Sequence, residues 1–466
     1  MKRLTAHVIV LGSLTQSPRI LFHARCLARV GYSVTVSGYQ ASDAEKEPEN
    51  SDLRFLNIPS PPDFKRFVFF TLLSSFLKLV FLSLVLLLHL IRQCRSRVIL
   101  LQNPPAVPTF VVAWLFIRLT RKELIVDWHN YGFTLVELST SRGSLLSRIY
   151  RLLEVNFASK FLSSSTLTSP RVIHLCVSRA LQQDMLSRGI EATVFYDRAP
   201  DEFQCTSAEA AHSLLLKLSA IYPQLADPGR SKRRTRLTEI TALPVEHRGS
   251  TPGWRLDRPA FVVSSCSWTA DDDFYMMVDA LDMYNNRACL PDSKLPPVLF
   301  AVTGRGPMKE FYANLIKSKR WTHVEVIMPW LDWSDYPVFL GCADIGISLH
   351  HSSSGLDLPM KVVDLLGVCV PVLALTYPTL NELLPPDRFG AHFRDAEELA
   401  DQLSRLLIPQ KTDNPGSYCD YGRFGAVGSQ QLRDYRKNLE QYAKDTPRGY
   451  EYWKLVALPI FHANSE

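Results

Sequence analysis

An apolar run from Phe67 to Ile91 lies inside a series of short strands, and that nesting constrains the fold more than any other feature. Lys78 and His89 are its only strongly polar interruptions. As a helix of about 25 residues it would measure roughly 37 Å, longer than the roughly 30 Å hydrocarbon core of a bilayer. Lys65 and Arg66 flank one end, and Arg92, Arg95 and Arg97 the other, as at the ends of a membrane segment. Strands nevertheless stand on both sides. His7 to Gly12 is a short apolar run of the kind buried in parallel sheets, Ile20 to Arg29 has helical spacing and stops at Gly31, and Tyr32 to Ser37 is a second strand. Val98 to Leu101 and Leu124 to Asp127 come after the run. A single crossing would put parts of one sheet on opposite sides of a bilayer. The expectation is therefore a helix that covers the sheet with one face and enters lipid with the other. A true span and a purely buried core helix are the alternatives.

Val172 to Val177, a helix capped by Ser178, and Thr193 to Tyr196 complete a doubly wound α/β half. After one helix at about 207–222, DPGRSKRRTR and the residues Pro244, Gly249, Pro252 and Gly253 read as a mobile linker or insert. The pattern then restarts. Strands are expected at Ala260 to Ser265, Val298 to Thr303, Val324 to Met328, Ile345 to Leu349 and Val370 to Leu375, with helices from Asp273 and Met308 between them. Gln430 to Tyr442 is an amphipathic helix in the tail. The expected division is 1–205, 206–257, 258–420 and 421–466.

Composition narrows the partners. A net charge of +6 over 466 residues is too weak for a chain that lives on phosphate backbones, so nucleic acid is excluded as the main partner. The mean hydropathy of −0.02 owes much to the one apolar run. Nine scattered cysteines without a CxxC pair read as free thiols in a reducing compartment and not as a zinc site. The run HVIVLG is too short for a secretory signal core.

Several strand ends carry candidate chemistry. GSLTQSPR (Gly12–Arg19) lacks the glycines of a dinucleotide loop, so a nicotinamide cofactor is not expected. Ser17 and Arg19 there open a helix and suit an anionic group, although capping by Ser17 explains them equally well. IVDWHNYGFT brings Asp127, Trp128, His129 and Asn130 to one strand end, where α/β sheets bind ligands. A histidine suits a general base, Asp127 would orient it or be the base itself, and Trp128 would stack on a sugar. SSCSWTADDD offers the hydroxyls of Ser267 and Thr269; its acidic run opens a helix and reads as capping rather than a metal site. TGRGP supplies Gly304, Arg305 and Gly306 for a diphosphate, and Trp330 offers a face for a base. In HHSSSGLDLPMKVVDLLG, Ser354, Gly355 and Asp357 precede a helix bearing Lys361 and Asp364, a grip for a nucleotide diphosphate and its ribose.

At these residues the chain resembles the chitobiosyldiphosphodolichol β-mannosyltransferases. SPR near Gly12, LLQNPPAVP, IVDWHNYGFT, VFYDRAP, SSCSWTADDDF, VTGRGPMKEFY, PWLDWSDYP and SSSGLDLPMKVVD match in order along nearly the whole chain. The resemblance implies an α/β GT-B fold, with two Rossmann-like domains facing a cleft. It implies inverting transfer of mannose from GDP-mannose to GlcNAc₂-diphosphodolichol on the cytosolic face of the endoplasmic reticulum, without metal or cofactor. Arg305, Ser354, Gly355, Lys361 and Asp364 would hold GDP, the Asp127–Asn130 segment would face the acceptor, and other transferases of the pathway are conceivable partners. The loop GSLTQSPR departs from the family's GDVGRSPR type. His129 is the first choice of base and Asp127 the second. A retaining GT-B enzyme with another lipid acceptor and a non-catalytic membrane scaffold are the alternatives.

Overall fold

The computed structural model describes residues 4–40, 53–62, 71–140, 143–163, 171–229, 231, 233–242, 250–269, 272–409 and 427–462. The chain divides into two compact units. One comprises Met1–Asp197, Ser353–Leu358 and Tyr450–Glu466, and the other Arg198–Ser352 and Pro359–Gly449.

The first unit is built on seven parallel strands: β1 (Thr5–Ser13), β2 (Ser33–Tyr39), β3 (Leu53–Asn57), β4 (Val98–Asn103), β5 (Glu123–Trp128), β6 (Val172–Cys176) and β7 (Ala192–Val194). Their order is β3-β2-β1-β4-β5-β6-β7. Val8, Ile9 and Val10 of β1 are fully buried, as continuous apolar runs must be when both sheet faces are covered. The order reverses between β1 and β4, and the carboxyl ends of strands at such a point are where α/β folds bind ligands.

The apolar run supplies a helix at Thr71–Arg92; its residues 67–70 lie outside the described part. Leu86 and Leu90 pack into the core with the helix Thr109–Thr120, while Leu73, Phe76, Leu84, Leu88 and Ile91 stay exposed. The strands before and after this helix belong to one sheet. The Thr109–Thr120 helix repeats the pattern. Phe110, Ala113 and Ile117 are buried, and Val111, Leu115 and Leu119 are exposed, Leu119 by 85%.

The second unit has six parallel strands: β10 (Ala260–Ser265), β11 (Val298–Thr303), β12 (Val324–Ile327), β13 (Ile345–Ser348), β14 (Val372–Leu375) and β15 (Gly390–Phe393). Their order, β12-β11-β10-β13-β14-β15, reverses between β10 and β13.

Two expectations need correction. The helix expected at about 207–222 is present, but the described part of 223–257 after it is folded rather than a mobile linker. A helix at Ala208–Ser219 and an antiparallel hairpin, β8 (Thr238–Ala242) and β9 (Ser250–Trp254), bury Leu215, Leu225, Leu237 and Trp254 in the core of the second unit. Arg255 pairs with Asp227 and Asp257 there, so the charges of this segment are partly spent on holding it. The cysteines are also not all free thiols. Cys205 and Cys369 form a disulfide with Cα atoms 5.4 Å apart, and Cys94 and Cys289 are exposed.

Candidate active site

In the first unit the site begins at Arg19, in the first turn of the helix Pro18–Arg29 after β1. Its guanidinium is buried and held on three sides. Nε and Nη2 donate to Asp127 Oδ2 and Oδ1 at 2.8 Å each, and Nη1 donates to Asp197 Oδ1 and the Phe195 carbonyl, also at 2.8 Å. Burial works against charge on Arg19, yet the two carboxylates raise its affinity for the proton. Burial likewise opposes charge on Asp127, but Arg19 and then His129 hold its carboxyl well below the usual carboxylate range. Arg19 is therefore spent on Asp127, Asp197 and the Phe195 carbonyl rather than left free for the anionic group that its place at the helix opening suggested. Ser17 is buried with Oγ donating to the Ser13 carbonyl, so its side chain makes no capping bond to the helix it opens.

His129 sits just past β5 with 24% of its side chain exposed, and its Nε2 lies 3.0 Å from Asp127 Oδ2. An ionised carboxylate only accepts, so Nε2 carries the hydrogen and donates it, which leaves Nδ1 free to accept. Asp127 itself is fully buried beneath Arg19 and His129. It can orient the imidazole but cannot be reached by a substrate hydroxyl, which corrects its standing as second choice of base. Trp128 is corrected too. It is fully buried against Phe110 and Tyr131, and its Nε1 donates to His174 Nδ1 at 3.0 Å, because alternate residues of a strand point to opposite faces. Asn130 Nδ2 donates to Ser353 Oγ at 3.1 Å and to Asp357 Oδ1 at 3.2 Å, and its Oδ1 accepts from Tyr131 N. The strand end thus meets part of the SSSGLD stretch inside one unit. Ser354 Oγ accepts from Leu356 N, and Gly355 has a positive φ of 73°.

Sequence reasoning missed His23, Asp197 and Ser353. His23 Nε2 is 3.7 Å from Asp127 Oδ2, and its Nδ1 accepts from Trp453 Nε1 at 2.9 Å. Asp197 had a signal in VFYDRAP, but only the fold brings it to Arg19.

In the second unit the loop after β10 and the loop after β11 press together. A Cβ on Gly304, where φ is +130°, would lie 1.9 Å from the Cys266 carbonyl oxygen, and one on Gly306 would lie 1.9 Å from that of Ser267. The glycines of TGRGP thus answer first to loop–loop packing rather than to a diphosphate. Arg305 stacks on the Trp330 ring, with its guanidinium carbon 3.6 Å from the ring centre, and Trp330 is 49% exposed. Ser267 is exposed and Thr269 half-buried beside them.

Lys361 and Asp364 open the helix Met360–Gly367 on one face. Lys361 Nζ donates to both oxygens of Asp272, at 2.9 and 2.8 Å. Asp272 also accepts from Ser267 N at 3.2 Å, and Asp273 caps the helix Phe274–Ala288 through Met276 N. The two described acidic residues of the DDD run are thus an ion-pair partner and a cap. The Tyr336 hydroxyl lies 3.4 Å from Asp364 Oδ2 and 2.8 Å from Ser265 Oγ, linking Asp364 to the end of β10.

No family model matches the chain. The human chitobiosyldiphosphodolichol β-mannosyltransferase is 34% identical over 98% of this chain and 93% of its own length. The chain belongs to the chitobiosyldiphosphodolichol β-mannosyltransferase family. A Dictyostelium discoideum member of the family is 31% identical over 87% of this chain. An Arabidopsis thaliana relative named UDP-glycosyltransferase TURAN is 34% identical over 87% of the chain and 89% of its own length. Among solved structures, Anabaena Alr3699/HepE in complex with UDP matches with a TM-score of 0.60 at 12% identity over 98% of the chain. A sucrose-phosphate synthase from Thermosynechococcus elongatus matches at 0.61 and 10% identity over 99%. The fold is that of the GT-B glycosyltransferases.

Proposed function

We propose that the chain transfers mannose from GDP-mannose to a chitobiosyl diphosphate lipid with inversion, and that His129 is the general base. The observation that carries the proposal is the partly exposed His129 with Nε2 tied to Asp127 and Nδ1 free. In one displacement the acceptor hydroxyl oxygen bonds to mannose C1 while the bond from C1 to the diphosphate breaks. The hydroxyl proton goes to His129 Nδ1, and GDP leaves with the electron pair. The imidazolium formed meets Asp127, in a cluster of two carboxylates against one guanidinium. Lys361 and Arg305 supply charge for the departing diphosphate, Trp330 a stacking face, and Asp364 an acceptor for ribose hydroxyls.

The relative named for UDP-sugars, equally identical, makes the donor base a matter for direct competition. Purified chain with GDP-mannose and GlcNAc₂-diphosphoprenol should yield a product cleaved by β-mannosidase and not by α-mannosidase, with UDP-sugars inert. An α-linked product, or no product, overturns the reading.

The exposed apolar faces of Thr71–Arg92 and Thr109–Thr120 are read as the membrane contact. Arg92, Arg118 and Arg121 stand at their ends, where they suit an anionic leaflet. The chitobiosyl diphosphate lipid that the family's name implies as acceptor goes with the endoplasmic reticulum membrane, and the catalytic domains are assigned to its cytosolic side.

A further inference from the structure

The stretch from Leu145 to Leu162 begins as a helix at Leu145–Arg151 and continues in π-helical geometry at Leu152–Asn156 and Ala158–Leu162. Such widened turns often accompany function because they place a side chain that a regular helix would misdirect. Here they carry Glu154, whose carboxylate is fully buried. Oε1 accepts from Gly132 N at 2.8 Å and from Asn103 Nδ2 at 2.9 Å, and Oε2 accepts from Phe133 N at 3.1 Å.

These partners bracket the loop that bears His129 and Asn130. On one side, Gly132 and Phe133 open the helix that follows it. On the other, the Asn103 carbonyl accepts from His129 N at 2.9 Å, and Asn103 Nδ2 reaches the Asn130 carbonyl at 3.4 Å. Tyr150, one turn before Glu154, closes the floor. Its hydroxyl accepts from Ala106 N at 3.0 Å, and a Cβ on Gly132 would lie 2.7 Å from its ring. Burial pushes the Glu154 carboxyl up, and the three N–H donors pull it back. A carboxylate taken out of water with no cation bonded to it is costly unless its oxygens are met by donors, and here every donor belongs to the loop or its anchor.

We propose that Glu154 is a positioning residue that, with Asn103, fixes the backbone from His129 to Phe133 and so sets where His129 meets the acceptor hydroxyl. This rests on the reading of His129 as the base. Glu154 itself touches no reacting atom.

The test uses the full chain in detergent or lipid with GDP-mannose and a chitobiosyl diphosphate lipid. Glu154→Gln keeps the shape but turns an amino group toward a backbone N–H. In the folded variant kcat should fall at least tenfold with the KM for GDP-mannose within twofold, and Glu154→Asp should recover part of the loss. A folded Glu154→Gln with wild-type kcat overturns the proposal. So does a loss that disappears when rates are divided by the folded fraction, or one matched by a rise in donor KM. Should Glu154→Gln fail to fold, Glu154→Asp decides: reduced kcat at unchanged donor KM supports the proposal, and wild-type kcat refutes it. His129→Asn separates the two levels. If it stays active, the base reading falls; if it is dead while Glu154→Gln is fully active, only the positioning role falls.

Discussion

Replacing Asp127 by Asn probes the buried cluster at its centre. The wild-type carboxylate accepts two N–H bonds from Arg19 and one from His129, all three between 2.8 and 3.0 Å. An amide offers one oxygen to those three donors and turns its own donors toward the rest. Removing one member of a buried ion pair costs about 3–5 kcal/mol. The lower end applies here, because Asp197 and the Phe195 carbonyl still hold Arg19. Stability should therefore fall by about 3 kcal/mol, as read from denaturant unfolding of the purified chain. The pH dependence has a definite sign. The folded carboxyl lies below its unfolded value, so the pair's contribution is present above the unfolded value and is lost as pH falls through the folded one. Asp127→Asn should remove that acid-side loss. Activity should fall further than stability alone explains. Without an anionic acceptor at Nε2 the imidazole no longer favours the tautomer with Nδ1 free, and general-base help is worth roughly 10²–10⁴ in rate. The expected outcome is a kcat at least about 100-fold lower at unchanged donor KM. Asp127→Asn combined with His129→Asn should be little worse than either alone. A kcat within threefold of wild type, or losses that multiply in the double variant, would refute this account of the cluster.

Lys361→Ala should weaken both donor binding and turnover, and it also leaves Asp272 buried without its cation; unchanged donor KM and kcat would sink the assignment. Burial holds His7 and His23 down to about 3 and His174 down to about 4, so the unfolded chain binds more protons below pH 6.5. Stability should be flat above that value and fall as pH drops, by roughly 2 kcal/mol per histidine at pH 5, and His174→Gln should flatten the curve in pH-dependent unfolding. Changing Leu84, Leu88, Leu115 and Leu119 together to Gln should abolish co-flotation with anionic liposomes and leave the unfolding midpoint almost unmoved, since all four are exposed; retained flotation would show that lipid contact lies elsewhere.

The sequence disclosed most of the scaffold because parallel strands buried on both faces write themselves as short apolar runs: Val8–Val10, Ile125–Val126 and Val262–Val263 need no partner to be recognised. It disclosed less where structure depends on who packs against whom. The stretch 206–257 reads as a linker through its prolines, glycines and basic residues, yet Leu225, Leu237 and Trp254 find a core and Arg255 finds Asp227. The site divides the same way. Residues at strand ends were legible by position, but their roles were not, because a strand end points its side chains alternately up and down. That alternation buries Trp128 and Asp127 in different surroundings and leaves His129 at the surface.

Glu154 shows the limit most clearly. It lies in a stretch with neither strand pattern nor glycine motif, and nothing local marks it. Its meaning comes only from Asn103, Gly132 and Phe133, residues about 20 to 50 positions away that the fold brings to within about 3 Å. The same holds for Asp197 and Arg19, and for Asp272 and Lys361. In the last pair the residue read from a motif, Lys361, is the one expected to meet the substrate, and Asp272, which the motif reading left as a cap, is the one that fixes it in place. Motif reading is thus biased toward groups that touch ligands, whereas the charges that hold those groups are set by long-range packing and have to be sought in three dimensions.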